Sequence, residues 1–140
     1  MGRTAMIQME LSRIIICDTS DQQVIVLKEK DGTRNFPIRI GTFEAGAIDR
    51  GVKELRTSRP LTHDLLSNVL DSLGVELERI VVSDLRRGTF YAKLILQRDG
   101  EVIEVDSRPS DAIALAVVRN TPIFVMEKVL QEVLKTDSLD

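Results

Sequence analysis

Thr89 to Arg98, the pair Asp99-Gly100, Glu101 to Asp106, and then Ser107-Arg108-Pro109-Ser110-Asp111-Ala112-Ile113-Ala114-Leu115 form one unbroken run of the chain. The run reads as strand, hairpin turn, strand and helix. Asp-Gly accepts the positive φ that a tight primed hairpin turn demands. Proline ends the extended segment, Ser or Thr can cap the helix that follows, and an aspartate falls in its first turn. From about Ser110 to Asn120 the helix is apolar nearly all round, which predicts burial at the centre of the domain.

Working outward, the first half of the chain uses the same grammar. Gln23 to Lys30, the hairpin signal Asp31-Gly32 and Asn35 to Ile40 follow a first strand from Met6 to Cys17. Gly41-Thr42 opens a helix in which Phe43, Ala47, Ile48, Val52 and Leu55 share one face. A second corner, Ser58-Arg59-Pro60-Leu61-Thr62-His63-Asp64, leads a helix carrying Leu65, Leu66, Val69, Leu70 and Leu73, with Gly74 just past its end. Val75 to Leu85 is a strand and Arg86-Arg87-Gly88 a turn. Beyond Thr121-Pro122 come a short strand, Ile123 to Met126, and an amphipathic helix, Glu127 to Lys135.

Strands that arrive in hairpins, not separated by helices, predict an α+β domain with a mixed or largely antiparallel sheet and about four helices. One domain is expected over residues 1–135, with its core at about 6–129 and a polar tail at 136–140. Internal duplication is one reading of the repeated hairpin–helix plan.

Composition narrows the class. A chain of 140 residues can hold a real hydrophobic core without disulfide staples. The lone Cys17 excludes an intrachain disulfide framework and a cysteine-based zinc cluster, which suits a reducing cytoplasm. No segment approaches the roughly 20 apolar residues of a membrane span, and the N-terminal residues do not resemble a secretion signal. The formal net charge of −3 argues against a sequence-tolerant nucleic-acid coat. Lys28 to Arg59 holds eight basic residues against five acidic, an excess that can be plain solvated surface or a face that meets phosphate.

The residues able to carry chemistry are Glu44, Arg59, Thr62, His63, Asp64, Asp106, Arg108, Ser110 and Asp111. Metal-assisted phosphodiester hydrolysis needs carboxylates for a hard divalent cation, a cation for the phosphate and a group to activate water. This set contains every type. Each also has a structural use: acids in a first turn stabilise a helix by about 0.3–1 kcal/mol, and the arginines can bond loop carbonyls. With Thr62 as cap, His63 falls at the first helical position. Gly41 offers either positive φ or close backbone approach. Tyr91 can stack on a base, or pack half-buried in its strand. No phosphate-binding loop, Rossmann glycine run or nucleophile elbow is present.

Four strings together resemble the bifunctional nuclease domain family of bacterial and plant proteins. They are Pro37-Ile38-Arg39-Ile40-Gly41 with Glu44-Ala45, Arg59 to Leu66, Gly88 to Ala92, and Asp106 to Ala116, in a match running from about Met6 to Val129. The resemblance implies nuclease activity, attributed to plant members on both DNA and RNA, in an α+β fold that forms homodimers. It supplies no agreed catalytic residues. On residue chemistry, Asp64 and Asp111, with Glu44 or Asp106, are expected to hold magnesium or manganese. Arg59 and Arg108 are expected to neutralise phosphate, and His63 to orient or activate water. The competing expectation is a non-enzymatic binding or regulatory module in which the Ser-Arg-Pro corners are structural. An open cleft at the arginines would favour chemistry, and closed, carbonyl-bonded arginines would favour structure.

Overall fold

Asn35 to Gly41 shows how alternation builds this sheet. Phe36, Ile38 and Ile40 are buried, while Asn35, Pro37 and Arg39 between them face outward. The computed structural model describes residues 5–138. In chain order the elements are β1 (Met6–Ile15), β2 (Gln22–Glu29), β3 (Asn35–Gly41), α1 (Thr42–Val52), α2 (Thr62–Ser72), β4 (Glu76–Arg86), β5 (Thr89–Arg98), β6 (Glu101–Ser107), α3 (Pro109–Arg119), β7 (Ile123–Met126) and α4 (Glu127–Ser138). This is the expected α+β fold. The last helix continues into the segment expected as a tail. Leu139 and Asp140, like Met1 to Thr4, lie outside the described residues.

The seven strands form one sheet in the order β3-β2-β1-β7-β4-β5-β6, antiparallel except where β7 lies parallel to β4. Two three-stranded meanders therefore flank β7. Register shifts between Leu11 and Arg13 in β1, and at two places in β4, mark bulges that bend and twist their strands. The sheet curls far enough for Phe36 of β3 to stack on Phe90 of β5, ring centroids 5.6 Å apart, although four strands lie between them in the order. A single apolar core joins the sheet to Ala112–Ala116 of α3 and to Val129, Leu130 and Val133 of α4. The burial of α3 is as its composition predicts.

Three local expectations need correction. Asp31-Gly32 does close a hairpin, but neither residue has positive φ. A wider loop is closed by Glu29 N–H donating to the Arg34 carbonyl at 2.9 Å. The positive pairs are Arg87-Gly88 (50° and 79°) and Asp99-Gly100 (51° and 83°), as a type I′ turn requires.

The apolar faces assigned to α1 and α2 are mostly exposed: Phe43, Val52, Leu55, Leu65, Leu66, Val69 and Leu73 all face solvent. The buried line of α1 is Ala45 and Ile48, leading to Gly51, where an added Cβ would stand 2.9 Å from the Val117 side chain of α3. Close helix approach selected small residues there, so the large apolar ones do not mark the contact. On α2 the buried residues are Ser67 and Leu70. Arg119 at the end of α3 donates to the Ser67 carbonyl at 3.0 Å and hydroxyl at 2.8 Å, and pairs with Asp71 at 3.0 Å.

The two Ser-Arg-Pro corners also fail to occupy equivalent places. The β4–β6 meander enters α3 through its corner, whereas the β1–β3 meander enters α1 at Thr42. The first corner instead opens α2. The repeated string and the repeated fold unit are thus out of step. Among the described residues no helix is long and apolar enough to cross a membrane.

Candidate functional site

Glu44, Asp64 and Asp111 each occupy the third residue of a helix: α1, α2 and α3 respectively. Acids are favoured there because the unpaired N–H groups and aligned peptide dipoles make a helix N-terminus electropositive. All three N-termini line one cleft of about 440 Å³. Neither corner is capped by a hydroxyl. The capping residues are Leu61 and Arg108, without side-chain cap bonds, so Thr62 is the first residue of α2 and His63 the second. Pro109 opens α3 at a position where its missing N–H costs no helical bond.

Four side chains are linked in series. His63 Nε2 lies 3.0 Å from Asp111 Oδ1. Arg108 Nε donates to Asp111 Oδ2 at 2.9 Å, and Arg108 Nη2 pairs with Glu44 Oε2 at 3.1 Å. Partial burial pushes the Asp111 carboxyl up, but the bonds from Arg108 and His63 outweigh it and hold the group below the usual carboxylate range. The same carboxylate, with Glu44, raises the Arg108 guanidinium further. An ionised carboxylate only accepts hydrogen bonds, so the Nε2 of His63 carries the proton shared with Asp111. A neutral ring then keeps its lone pair on Nδ1. Gly41 has φ −77°, so it is not there for a left-handed conformation. A Cβ on Gly41 would meet the Glu44 carboxylate, which folds back over it.

The other expected site residues are placed differently. Asp64 lines the same cleft, but its carboxylate accepts the backbone N–H of Leu61 at 3.0 Å. Arg59 is exposed before α2, outside the cleft lining, and forms no ion pair among the described residues. Asp106 is exposed on β6, in register with Lys93, and is also outside the cleft. Tyr91 is half-buried, with the Arg86 guanidinium 4.9 Å from its ring centre. Among the described residues no three His, Cys, Asp or Glu side chains are grouped to hold a metal ion. Both Asp111 oxygens are engaged, and Glu44 is paired. These donors do not form a metal site by themselves.

The cleft also has residues that the sequence reading passed over. Arg50 reaches it from α1, and Phe43, Leu55 and Leu61 give it an apolar wall. Arg50 lies seven residues after Phe43, two helical turns along the same face, and that spacing was the available signal.

The bifunctional nuclease domain model matches residues 25–137, the greater part of the chain. The chain belongs to the bifunctional nuclease domain family. The matched span contains Glu44, His63, Arg108 and Asp111. This bifunctional nuclease domain is similar to an uncharacterized protein of Mycobacterium tuberculosis, 43% identical over 112 residues, covering 80% of this chain and 66% of that protein. It is 30% identical over 112 residues to Bifunctional nuclease 1 of Arabidopsis thaliana, covering 77% of this chain and 34% of the relative. To Bifunctional nuclease 2 of Oryza sativa subsp. japonica it is 28% identical over 114 residues, covering 79% and 35%. The chain thus spans about a third of the length of these plant relatives.

Proposed function

We propose that this domain is a nuclease hydrolysing phosphodiester bonds of DNA or RNA where the N-termini of α1, α2 and α3 meet. The observation carrying this reading is the linked set His63–Asp111–Arg108–Glu44 opening on that cleft. Helix N-termini attract phosphate through free N–H groups and dipoles. Arg108 has five N–H donors, and its bonds to Asp111 and Glu44 leave others for a phosphate oxygen. Asp111 holds the His63 ring and directs its Nε2 proton, so Nδ1 acts as base. The water oxygen forms a new bond to phosphorus as the bond to the leaving oxygen breaks. His63 takes the water proton and returns it to that oxygen.

Magnesium or manganese enters this reading only as a cation accompanying the nucleic acid. Magnesium commonly keeps water and phosphate ligands and draws one or two carboxylates from the protein. No step above is routed through it.

The second reading, a binding or regulatory module with structural corners, predicts a closed-off Arg108. Its side chain is 63% exposed and bonds carboxylates, not backbone carbonyls. That supports chemistry over architecture. We also propose a homodimer formed through the exposed ridge of Leu65 and Val69 on α2 and Leu73 at its C-terminal end, whose four-residue spacing gives one continuous apolar line. Sedimentation velocity on the purified protein tests it. The lone Cys17 supports a cytoplasmic setting.

The test of function is cleavage of single- and double-stranded DNA and RNA by purified protein, with magnesium, manganese or chelator, beside His63→Ala and Asp111→Ala. Cleavage dependent on both residues is expected. Cleavage that survives both substitutions contradicts the site.

A further inference from the structure

Phe43 is 90% exposed, at the second position of α1 and on the lining of the candidate cleft. Isolated apolar residues on a surface need no explanation, but this one is neither isolated nor useful to the fold. Phe36 is fully buried and Phe90 and Phe124 partly so. Phe43 gains nothing from the core, and phenylalanine is a poorer helix former than alanine or leucine. What its position does provide is a ring beside charge. Glu44, the next residue, pairs with Arg108, and Arg50 lines the same cleft. Leu55 and Leu61 complete an apolar wall.

The cleft does not stop there. A second hollow of about 930 Å³ shares Arg50, Leu55 and Asp64 with it and adds Lys30 and Arg56. Acids also line this second hollow, Glu10 and Glu54 among them. Lys30, Arg50, Arg56 and Arg108 along the two hollows are offset by Glu10, Glu44, Glu54, Asp64 and Asp111. The exposed ring beside Arg50 and Arg108, and not net charge, is therefore what suits a flexible strand carrying flat apolar groups between its phosphates. A single strand of nucleic acid has that character, and a duplex, whose bases are already stacked on one another, does not.

We infer that Phe43 is a base-stacking residue that makes the domain select unpaired nucleotides of single-stranded DNA or RNA, a deepening of the nuclease reading on which it rests. Stacking on an aromatic side chain is tolerant of base identity, since every base presents a π-face, and is worth roughly 5- to 150-fold in affinity per base.

Binding separates this from hydrolysis. Fluorescence anisotropy would compare short oligothymidylate with an abasic sugar–phosphate strand of equal length and charge, using wild type, Phe43→Ala and Phe43→Trp. The wild type and Phe43→Trp should prefer the base-bearing strand by roughly 5- to 150-fold, and Phe43→Ala should bind both strands alike. Equal affinity of the wild type for both strands, or a preference surviving in Phe43→Ala, overturns the inference. If His63-dependent cleavage persists in that case, only the stacking role has failed. A base preference without any cleavage leaves stacking standing and removes the nuclease reading. Binding of neither strand overturns both. Sedimentation velocity of Phe43→Ala completes the test: a changed mass without a changed base preference assigns Phe43 to self-association.

Discussion

The chain writes Ser-Arg-Pro twice and builds two different corners from it. At the first, Pro60 stands outside α2 and Asp64 folds back on the Leu61 N–H. At the second, Pro109 is the first residue of α3 and Asp111 turns across to His63 of the neighbouring helix and to Arg108. The two aspartates hold the same rank in their helices. Their partners differ: a backbone amide claims one, while a guanidinium and an imidazole claim the other. Charge-assisted bonds to guanidinium are about twice as strong as neutral ones. One corner therefore closes a helix end, and the other carries a charge relation between helices. His63, which follows the first corner, is spent on the second.

Replacing the two aspartates should break this symmetry most visibly. Asp111→Ala is expected to lower kcat by roughly 10²- to 10⁴-fold, the range a positioned acid–base group supplies, because His63 loses its orientation and tautomer. Single-turnover cleavage measures it. Asp64→Ala should leave cleavage within a few-fold of wild type and lower stability by about 1 kcal/mol, the usual worth of satisfying a helix-end donor. Urea denaturation reads that loss. Reversal of the two phenotypes would mean that the corners have been assigned the wrong way round.

The smallest expected effect is on pH dependence. Asp111 is held below the ordinary carboxylate range in the folded protein. Its contribution to stability is thus fully present above the unfolded value of about 4 and is lost as pH falls through the lower folded value. Glu29 and Glu127, both lowered chiefly by Arg34, act in the same direction. Urea denaturation repeated across pH should show wild-type stability falling as pH drops below about 4, and Asp111→Asn should flatten that slope.

Much of the fold was legible because hairpins, proline corners and an all-round apolar α3 are local signals. Every strand and helix was anticipated to within a few residues. The inward faces of α1 and α2 were not, because close packing on α3 selected Ala45, Gly51 and Ser67 over the larger residues that periodicity favours. The site was partly legible. Residue type and position at the helix starts placed Glu44, His63, Arg108 and Asp111 among the candidates, but their pairing depends on how α1 and α2 dock against α3. That docking also leaves Arg59 and Asp106 outside the cleft, although they sit in equally suggestive strings. Spacing along the chain cannot distinguish Asp64 from Asp111; their partners across the helices do.

In the proposed reaction His63 and Asp111 act as one catalytic unit on a phosphodiester. A double-substitution cycle on kcat/KM, comparing His63→Ala, Asp111→Ala and the two combined, tests that coupling. Residues that work as a unit are non-additive, so the combined variant should lose little more than either single one. Losses that multiply, or cleavage indifferent to both changes, would contradict the account.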